Sequence, residues 1–501
     1  MKLEITSVPA PTKLSDLLLI QHAAFAMPCG GKGTCKKCKV TAAGNLSPMS
    51  EAERACLTEQ EVQAGIRMAC MAMATGPCTI YYTSSNHNLQ GLLDGQMPDF
   101  LPHPPARNGI GFAADIGTTT VAAYAYDLET LQCISSSSEA NAQSAFGADV
   151  ISRIEAVSTH GVQPLQDAIR GQLAGLVQKV CGVQRPVYAV LTGNTTMLHL
   201  FAGLNPASMA AAPFTPKSLF GRQIDWDGIP TLLPRCISSY VGADITCAIL
   251  ASDMLKQQGS ALLVDIGTNG EMALWHNGIL RCCSTAAGPA FEGARITMGM
   301  PGSPGAICKV YAQGSRLLYQ TIDNQKPKGI CGSGLIDAIA LMLRYQVMDE
   351  TGLLHDDGHL FTHLVSEYEN QPCFYLGDSG ICITQTDIRQ VQLAKSAICA
   401  GIQTLLDTAG TKQIDRLYIA GGFGSYLDQQ HAMQIGLLPK NTAQETVILG
   451  NAAGMGACML LLNTAFAQIC RDIADQAQTI DLNANPNFSN RYMEGMLFLQ
   501  E

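Results

Sequence analysis

GFAADIGTTTVAAY (Gly111–Tyr124) and ALLVDIGTNGEMAL (Ala261–Leu274) are two versions of one pattern, set 150 positions apart. Each reads as a buried apolar strand ending at an acid, Asp115 or Asp265, then a tight turn opened by Gly117 or Gly267, then a second strand. Repetition of the whole pattern points to duplication of one α/β unit. Helical stretches follow each copy, Asp387 to Thr408 among them, which favours α/β layers over an all-β fold.

The pattern suits phosphate chemistry. An aspartate that ends a buried strand can hold Mg²⁺ directly or through water, while the glycine and the amides and hydroxyls after it approach phosphate oxygens unobstructed. Two facing copies grip a triphosphate from both sides. Near the C-terminus IAGGFGS (Ile419–Ser425) runs a strand into a glycine turn, where Gly421, Gly422 and Gly424 permit close backbone approach to a flat adenine and its ribose. In order and separation these motifs resemble the actin, sugar-kinase and heat-shock ATPase superfamily, with GNTT (Gly193–Thr196) and GICGSGLID (Gly329–Asp337) as its connecting segments. The resemblance implies ATP and Mg²⁺ as ligands and Asp115 and Asp265 as the catalytic, metal-side carboxylates. It also implies nucleotide contacts at Gly117, Thr118, Thr119, Gly267, Thr268, Asn269, Gly270, Gly332, Gly334, Gly421, Gly422 and Gly424. Glu271 and Glu292 are further candidates to orient water, equally readable as turn caps or as partners of an arginine such as Arg295; the expectation rests on the aspartates.

Near the start, CGGKGTCKKC (Cys29–Cys38) places three cysteines within ten residues, and Cys70 follows thirty-two positions after Cys38. Ligands of a metal–sulfur cluster must converge from a short segment, and glycines let that backbone curl toward the sulfurs. Plant-type [2Fe–2S] proteins use C-x4-C-x2-C with a distant fourth cysteine; here the first gap is one residue longer. Zinc sites more often carry two short pairs, and this segment offers one, so zinc or a structural thiol cluster stands as the alternative. Residues 1 to about 85 resemble a [2Fe–2S] ferredoxin domain, which implies a β-grasp-like fold with Cys29, Cys35, Cys38 and Cys70 as ligands. Cys56 and Cys78 compete for the fourth place, or are small buried hydrophobes. Lys32, Lys36, Lys37 and Lys39 crowd the loop, either to receive an acidic partner or as soluble surface.

The composition narrows the remainder. The chain has 501 residues, a net charge of −10 and only 14% charged residues, against about 25% in ordinary soluble domains, so it buries large cores or a subunit interface. A negative chain without a basic arm is no nucleic-acid binder. Leu14–Met27 is apolar, but Asp16 and His22 interrupt it as a signal peptide. Leu449–Cys470, broken by Asn451 and Asn463, suits a buried helix better than a membrane span. Nineteen cysteines without an export signal indicate the reducing cytoplasm and suit an anaerobic host. His199 reads as a satisfied core histidine, and Cys282-Cys283 as packing.

The expected organisation is a multidomain chain of α/β and α+β class: a ferredoxin-like domain at 1–85, a Pro-rich linker at 86–109, and a duplicated actin-like ATPase with halves at 110–258 and 259–501. With NAQSAFGADVISR (Asn141–Arg153), GNTTMLHL (Gly193–Leu200) and KGICGSGLID (Lys328–Asp337), this fusion resembles the reductive activators of corrinoid proteins. The resemblance implies ATP-dependent reduction of Co(II) corrinoid to Co(I) by one electron from the cluster, in a methyltransferase system, by a homodimer. It leaves the upstream donor open. One departure is that the better-known bacterial members carry additional linker and middle segments, whereas about twenty-five residues intervene here. Rival readings are an ATP-coupled donor to another low-potential enzyme, a redox-sensing kinase of the same superfamily, an activator of radical dehydratases and a nucleotide-gated scaffold.

Overall fold

The computed structural model describes residues 1–8, 10–21, 25, 27, 31, 33, 36–82, 93–357, 360–422, 427–440 and 442–498. Cys29, Cys35, Lys32 and Gly424 lie outside them.

The N-terminal unit is a five-stranded sheet in the order Lys2–Ile5, Met73–Tyr81, Lys39–Leu46, Ile66–Met68, with Thr12–Lys13 also paired to Met73–Tyr81; every ladder is antiparallel. Alternation sets its inner face: Ala74, Cys78 and Ile80 are buried, and their neighbours look outward. Leu14, Leu17 and Leu18 of the helix Leu14–Ile20 fill the core with Val40 and Met68. The first part of the apolar run near the start, Leu14–Ile20, is therefore a core helix of this unit.

The duplication is explicit in the two larger sheets. In the first, Ile110–Ile116, Thr120–Asp127 and Cys133–Ala140 form an antiparallel meander; Tyr188–Gly193 lies parallel beside Ile110–Ile116, and Ile229–Arg235 parallel beside that. In the second, Ala261–Ile266, Gly270–His276 and Ile279–Thr285 form the meander, with Ile414–Ala420 and Ala443–Gly450 added in parallel on the same side. The near-continuous apolar sequence of the inner strands follows from burial on both faces, the pattern of parallel sheets covered by helices. The second half also carries two small three-stranded sheets and the helices Gly332–Arg344 and Gln385–Ala409. The latter starts with a capping box in which Thr384 Oγ1 accepts from Asp387 N and Asp387 Oδ2 accepts from Thr384 N.

The two halves meet along equivalent helices, Ala243–Ser252 and Ala452–Leu462, each following the outer parallel strand of its sheet. Ala452–Leu462 (AAGMGACMLLL) is buried at every position, which explains a helix apolar all round. It ends at Asn463, and Phe466–Gln476 continues as a separate helix. The apolar run there is thus two helices, and among the described residues no helix is long and apolar enough to cross a membrane.

The expected linker is not a free spacer from residue 93 onward. Leu93, Met97, Phe100 and Ala106 pack against the core between the halves, and Phe100 meets Phe466 edge to face. Asn451 N donates to Asp94 O, Gln96 N to Leu449 O and His103 N to Leu462 O. Prolines keep this stretch extended, and the apolar side chains between them seat it.

Candidate functional site

A cleft opens where the carboxyl ends of the central strands converge, the usual ligand position in open α/β sheets. Asp115 and the turn Gly117–Thr120 enter from the first half, Asp265 and Gly267–Asn269 from the second. Asn194, Gly421 with Gly422, and Asn451 follow the strands Tyr188–Gly193, Ile414–Ala420 and Ala443–Gly450 into the same space. Gly332 and Ser333, the first turn of the helix Gly332–Arg344, complete the wall and present a helix N-terminus, which favours anions. Gly421 has φ +113°, and a Cβ there would lie 2.4 Å from Ile266 O, so the turn tolerates only glycine.

The two turns touch each other. Thr119 Oγ1 lies 3.0 Å from Thr268 Oγ1, and Glu292 Oε2 accepts from both hydroxyls at 2.5 Å while its Oε1 accepts from Thr268 N at 3.1 Å. Glu292 thus bridges the halves. Asn194 Nδ2 donates to Thr118 Oγ1, and the buried Arg153 donates through Nη2 to Thr118 O and through Nε to Gly147 O. The turns are not identical: Ile116 pairs with Val121 but Ile266 with Gly270, so the first turn is one residue longer. Asp265 faces Glu271 across its ladder, whereas Asp115 faces Ala122. The extra carboxylate makes the second half the more acidic wall.

Five carboxylates line this cleft, Asp115, Asp244, Asp265, Glu271 and Glu292, and among the described residues lining it there is no lysine or arginine. Burial, then the neighbouring Asp244 and Asp265 charges, holds Asp115 well above the carboxylate range, although the Asn451 side chain hydrogen-bonds it. Burial, then Asp244 and Glu292, pushes Asp265 up to about 7; burial pushes Asp244 up to about 6; and Glu271 is raised by burial and by the three aspartates. A divalent cation relieves this repulsion. The carboxylates present here fit Mg²⁺, a cation that keeps waters and phosphate oxygens around one or two carboxylates.

Asp244 is the residue that sequence reading missed. It occupies the first turn of the helix Ala243–Ser252 and accepts from Ile245 N at 2.8 Å, so in sequence it looks like an ordinary acidic helix start. Glu271 and Glu292, set below the aspartates in the sequence reading, both stand in the cleft. Arg295 pairs with neither; it meets Asp149 of the other half at 3.4 Å. Gly270 and Gly334 do not line the cleft. A Cβ on Gly270 would meet Ile398 at 2.9 Å and one on Gly334 would meet Ile307 O at 2.3 Å, so both serve close packing.

The cysteine centre is partly described. Cys38 and Cys70 are buried with Sγ atoms 3.2 Å apart, far beyond a disulfide bond of about 2.05 Å. Two thiolates on one tetrahedral metal with bonds of about 2.3 Å would sit about 3.8 Å apart, so this pair fits ligands that face one centre. Cys56 instead lies in the turn after the short helix Glu51–Arg54 and donates back to Ala52 O, and Cys78 is buried on the strand Met73–Tyr81. The approach to Cys70 is braced by a buried ion pair: Arg67 Nε and Nη2 donate to Glu53 Oε1 and Oε2 at 2.8 and 2.9 Å, and Met68 N donates to Glu53 Oε1. Glu53→Ala strands the Arg67 charge. It is expected to cost the N-terminal unit about 3–5 kcal/mol, read as a lowered midpoint in denaturant-induced loss of visible cluster absorption.

Other candidates resolve as structure. His199 is buried, with Nδ1 2.7 Å from Thr195 O and Nε2 accepting from Lys217 N and Ser218 N, a neutral core histidine. Cys282 and Cys283 are buried, with their thiols pushed up by burial, Cys282 to about 12. Asp337, Asp428 and His431 cluster tightly, but Asp337 is taken by His431 Nδ1 and Val310 N, and Asp428 caps the helix Gln429–Gln434.

Residues 259–501 match the family model of the C-terminal domain of RACo, the ASKHA domain, and residues 110–257 match the RACo middle region. The second match corrects the expectation that a middle segment is missing: in the family's own division, the first half of the duplicated fold is the middle region. The corrinoid activation enzyme RamQ of Eubacterium limosum is 36% identical over 451 residues, covering 84% of this chain and 76% of that protein. The Co(II) methylated amine-specific corrinoid protein reductase of Methanosarcina barkeri is 29% identical over 349 residues, 63% of this chain and 61% of that one. A solved structure of a reductive activator for corrinoid, iron-sulfur protein superposes with a TM-score of 0.72 at 28% identity, covering 97% of this chain and 95% of that one. A nucleotide-type cleft between duplicated halves, a cysteine centre ahead of them and these matches together place the chain in the family of reductive activators of corrinoid proteins.

Proposed function

We propose that this protein uses ATP to deliver one electron from a [2Fe–2S] cluster in its N-terminal, ferredoxin-like unit to the Co(II) of a corrinoid protein, giving Co(I) and returning a methyltransferase system to activity. The observation that carries the reading is the joining, in a chain of this family, of an acidic two-sided cleft to a cysteine centre whose Cys38 and Cys70 sulfurs face each other at 3.2 Å. The cluster, when bound, stores and passes a single electron. Cys38 and Cys70 would hold it with Cys29 and Cys35.

In the cleft, Asp115 and Asp265 would hold Mg²⁺, with Asp244 and Glu271 completing the field that attracts it. Gly117, Thr118, Thr119, Gly267, Thr268 and Asn269 offer amides and hydroxyls to the phosphates, and Gly421 and Gly422 leave room for the adenosine. Glu292, already shared between both turns, is placed to respond when a phosphate arrives between Thr119 and Thr268. Closure of the halves on the nucleotide is the movement that makes an unfavourable transfer available. The low charged fraction, 14%, supports a homodimer, and the compartment that suits the thiols is the reducing cytoplasm of an anaerobe.

The test follows a purified Co(II) corrinoid protein by its visible spectrum under strict anaerobiosis, with reduced protein and with or without MgATP. Co(I) is expected only with MgATP, and not with Cys38→Ser. Absence of reduction across several corrinoid partners, with cluster and ATP turnover intact, would move the acceptor elsewhere.

A further inference from the structure

Among the described residues, the N-terminal unit bonds to the nucleotide-type halves just before the cysteine loop, at Met27, and within it, at Lys37. Met27 N donates to Ser144 O of the first half, and Lys37 Nζ donates to Ile296 O of the second, both at 3.2 Å. Ser144 lies in the 3-10 turn Ala142–Ala145, which follows the third meander strand Cys133–Ala140; Ile296 follows the turn Pro289–Glu292, which comes after the third meander strand Ile279–Thr285. The unit therefore touches the corresponding place in both repeats.

Those two turns also brace the phosphate-type turns. Asn141, the cap of Ala142–Ala145, donates through Nδ2 to Gly117 O and through its backbone N to Thr119 O, each at 2.8 Å. Glu292, the last residue of Pro289–Glu292, holds Thr119 and Thr268. The Ile296 carbonyl is held firmly: it also accepts from Gly299 N, and next to it Thr297 donates through N and Oγ1 to Asp387 Oδ1. Beside this place Arg295 reaches Asp149 across the halves. With one anchor on each half, rotation of the halves changes the spacing of the anchors, so the two bonds are sensitive to how far the halves have closed.

We propose that Ser144 and Ile296 form a docking seat for the cysteine-loop face of the N-terminal unit, that Lys37 is the positioning residue that holds it, and that the seat is complete when the halves close on nucleotide. Only the closure step rests on the nucleotide reading given above. By linkage, a seated unit must then favour closure as much as closure favours seating. The lysines around this loop divide accordingly: Lys39 pairs with Glu61 and Lys37 with the chain's own second half, so at least this part of the basic cluster serves an internal partner.

The test is amide hydrogen exchange on the whole cluster-loaded protein, comparing wild type, Lys37→Ala and Lys37→Arg, with and without the Mg²⁺ salt of a non-hydrolysable ATP analogue. Visible cluster absorption checks that the unit stays folded. Losing one charged donor at an exposed site should speed exchange of the Met27 amide about five-fold, and Lys37→Arg should restore most of the protection. Nucleotide should slow that amide in wild type and much less in Lys37→Ala. Unchanged Met27 exchange in Lys37→Ala overturns the seat, and this arm needs no nucleotide. Met27 exchange indifferent to nucleotide, in samples whose 117–120 and 266–270 amides become protected, overturns the closure step. Failure of those turns to gain protection counts against the nucleotide reading and removes the closure step with it.

Discussion

Asp265→Asn is expected to lower MgATP-dependent activity by about a hundredfold or more, the scale for removing one placed electrostatic group, and at the same time to make the empty protein more stable. Both effects have one origin. Asp265 is held at about 7, against 3.8 for an ordinary aspartate, by burial and then by Asp244 and Glu292. Between those two pH values the folded protein keeps a proton that the unfolded chain has released, so stability falls as pH climbs from about 4 to about 7 and the full penalty is present above that. Removing the charge returns about 2–4 kcal/mol at pH 8, because each tenfold change in proton affinity is worth roughly 1.4 kcal/mol. Mg²⁺ needs the ionised form, so affinity for the Mg²⁺–nucleotide complex in wild type should rise with pH through about 6 to 7, where Asp244 and Asp265 ionise, and then level off. Calorimetric titration across that range and melting of nucleotide-free proteins at pH 8 check the two halves of the claim. A variant that loses both activity and stability would mean that Asp265 is a structural hydrogen-bonding group and not a strained cation ligand.

What could be read from the sequence was what the chain encodes locally. The repeated DIGT strand–turn–strand and the long helix after Thr384 are short-range patterns, and the structure builds each turn, sheet and helix from them, while the cysteine spacing runs through Cys29 and Cys35, outside the described residues. Asp244 was hidden because its role comes from convergence: nothing near it in sequence says that the helix Ala243–Ser252 starts beside strands from the other half. Gly270 and Gly334 were over-read for the opposite reason, since a glycine beside a motif looks like the motif, yet these two meet Ile398 and Ile307. The linker shows the same limit. Its prolines announce an extended chain, while the spacing of Leu93, Met97 and Phe100 gains its meaning only from the groove that receives them. Glu292 could be seen as a candidate, but not as the bridge between Thr119 and Thr268, because that bond exists only once two distant turns are brought together.

Gly456→Ala is expected to be among the most damaging small substitutions outside the cleft. The helices Ala243–Ser252 and Ala452–Leu462 cross with their backbones almost touching: a Cβ on Gly456 would lie 2.2, 2.5 and 2.6 Å from the O, C and Cα of Cys247. Backbone atoms cannot rotate away as a side chain tip can, so the helices must separate, and the loss should reach about 3 kcal/mol, the upper part of the range for overpacking. Gly175 supplies the control, because it sits exposed within the helix Gln163–Cys181 and an added Cβ there meets nothing within 4 Å. Gly175→Ala should stabilise by about 0.5–1 kcal/mol through helix propensity alone. The same methyl group thus carries opposite signs at the two sites. The functional consequence follows from what the crossing helices carry: Asp244 stands in the first turn of one, and Asn451 caps the other while bonding Asp115. Forcing the helices apart pulls these two cleft residues from each other, so nucleotide binding by Gly456→Ala should weaken about tenfold or more, a change of about 1.4 kcal/mol, in protein that is still folded at low temperature. Denaturant melts and nucleotide titration at about 10 °C, where the weakened fold still holds, separate the two effects. Lost stability with wild-type nucleotide affinity would show that the crossing is only a packing contact, whereas loss of both would identify it as the joint on which the cleft closes.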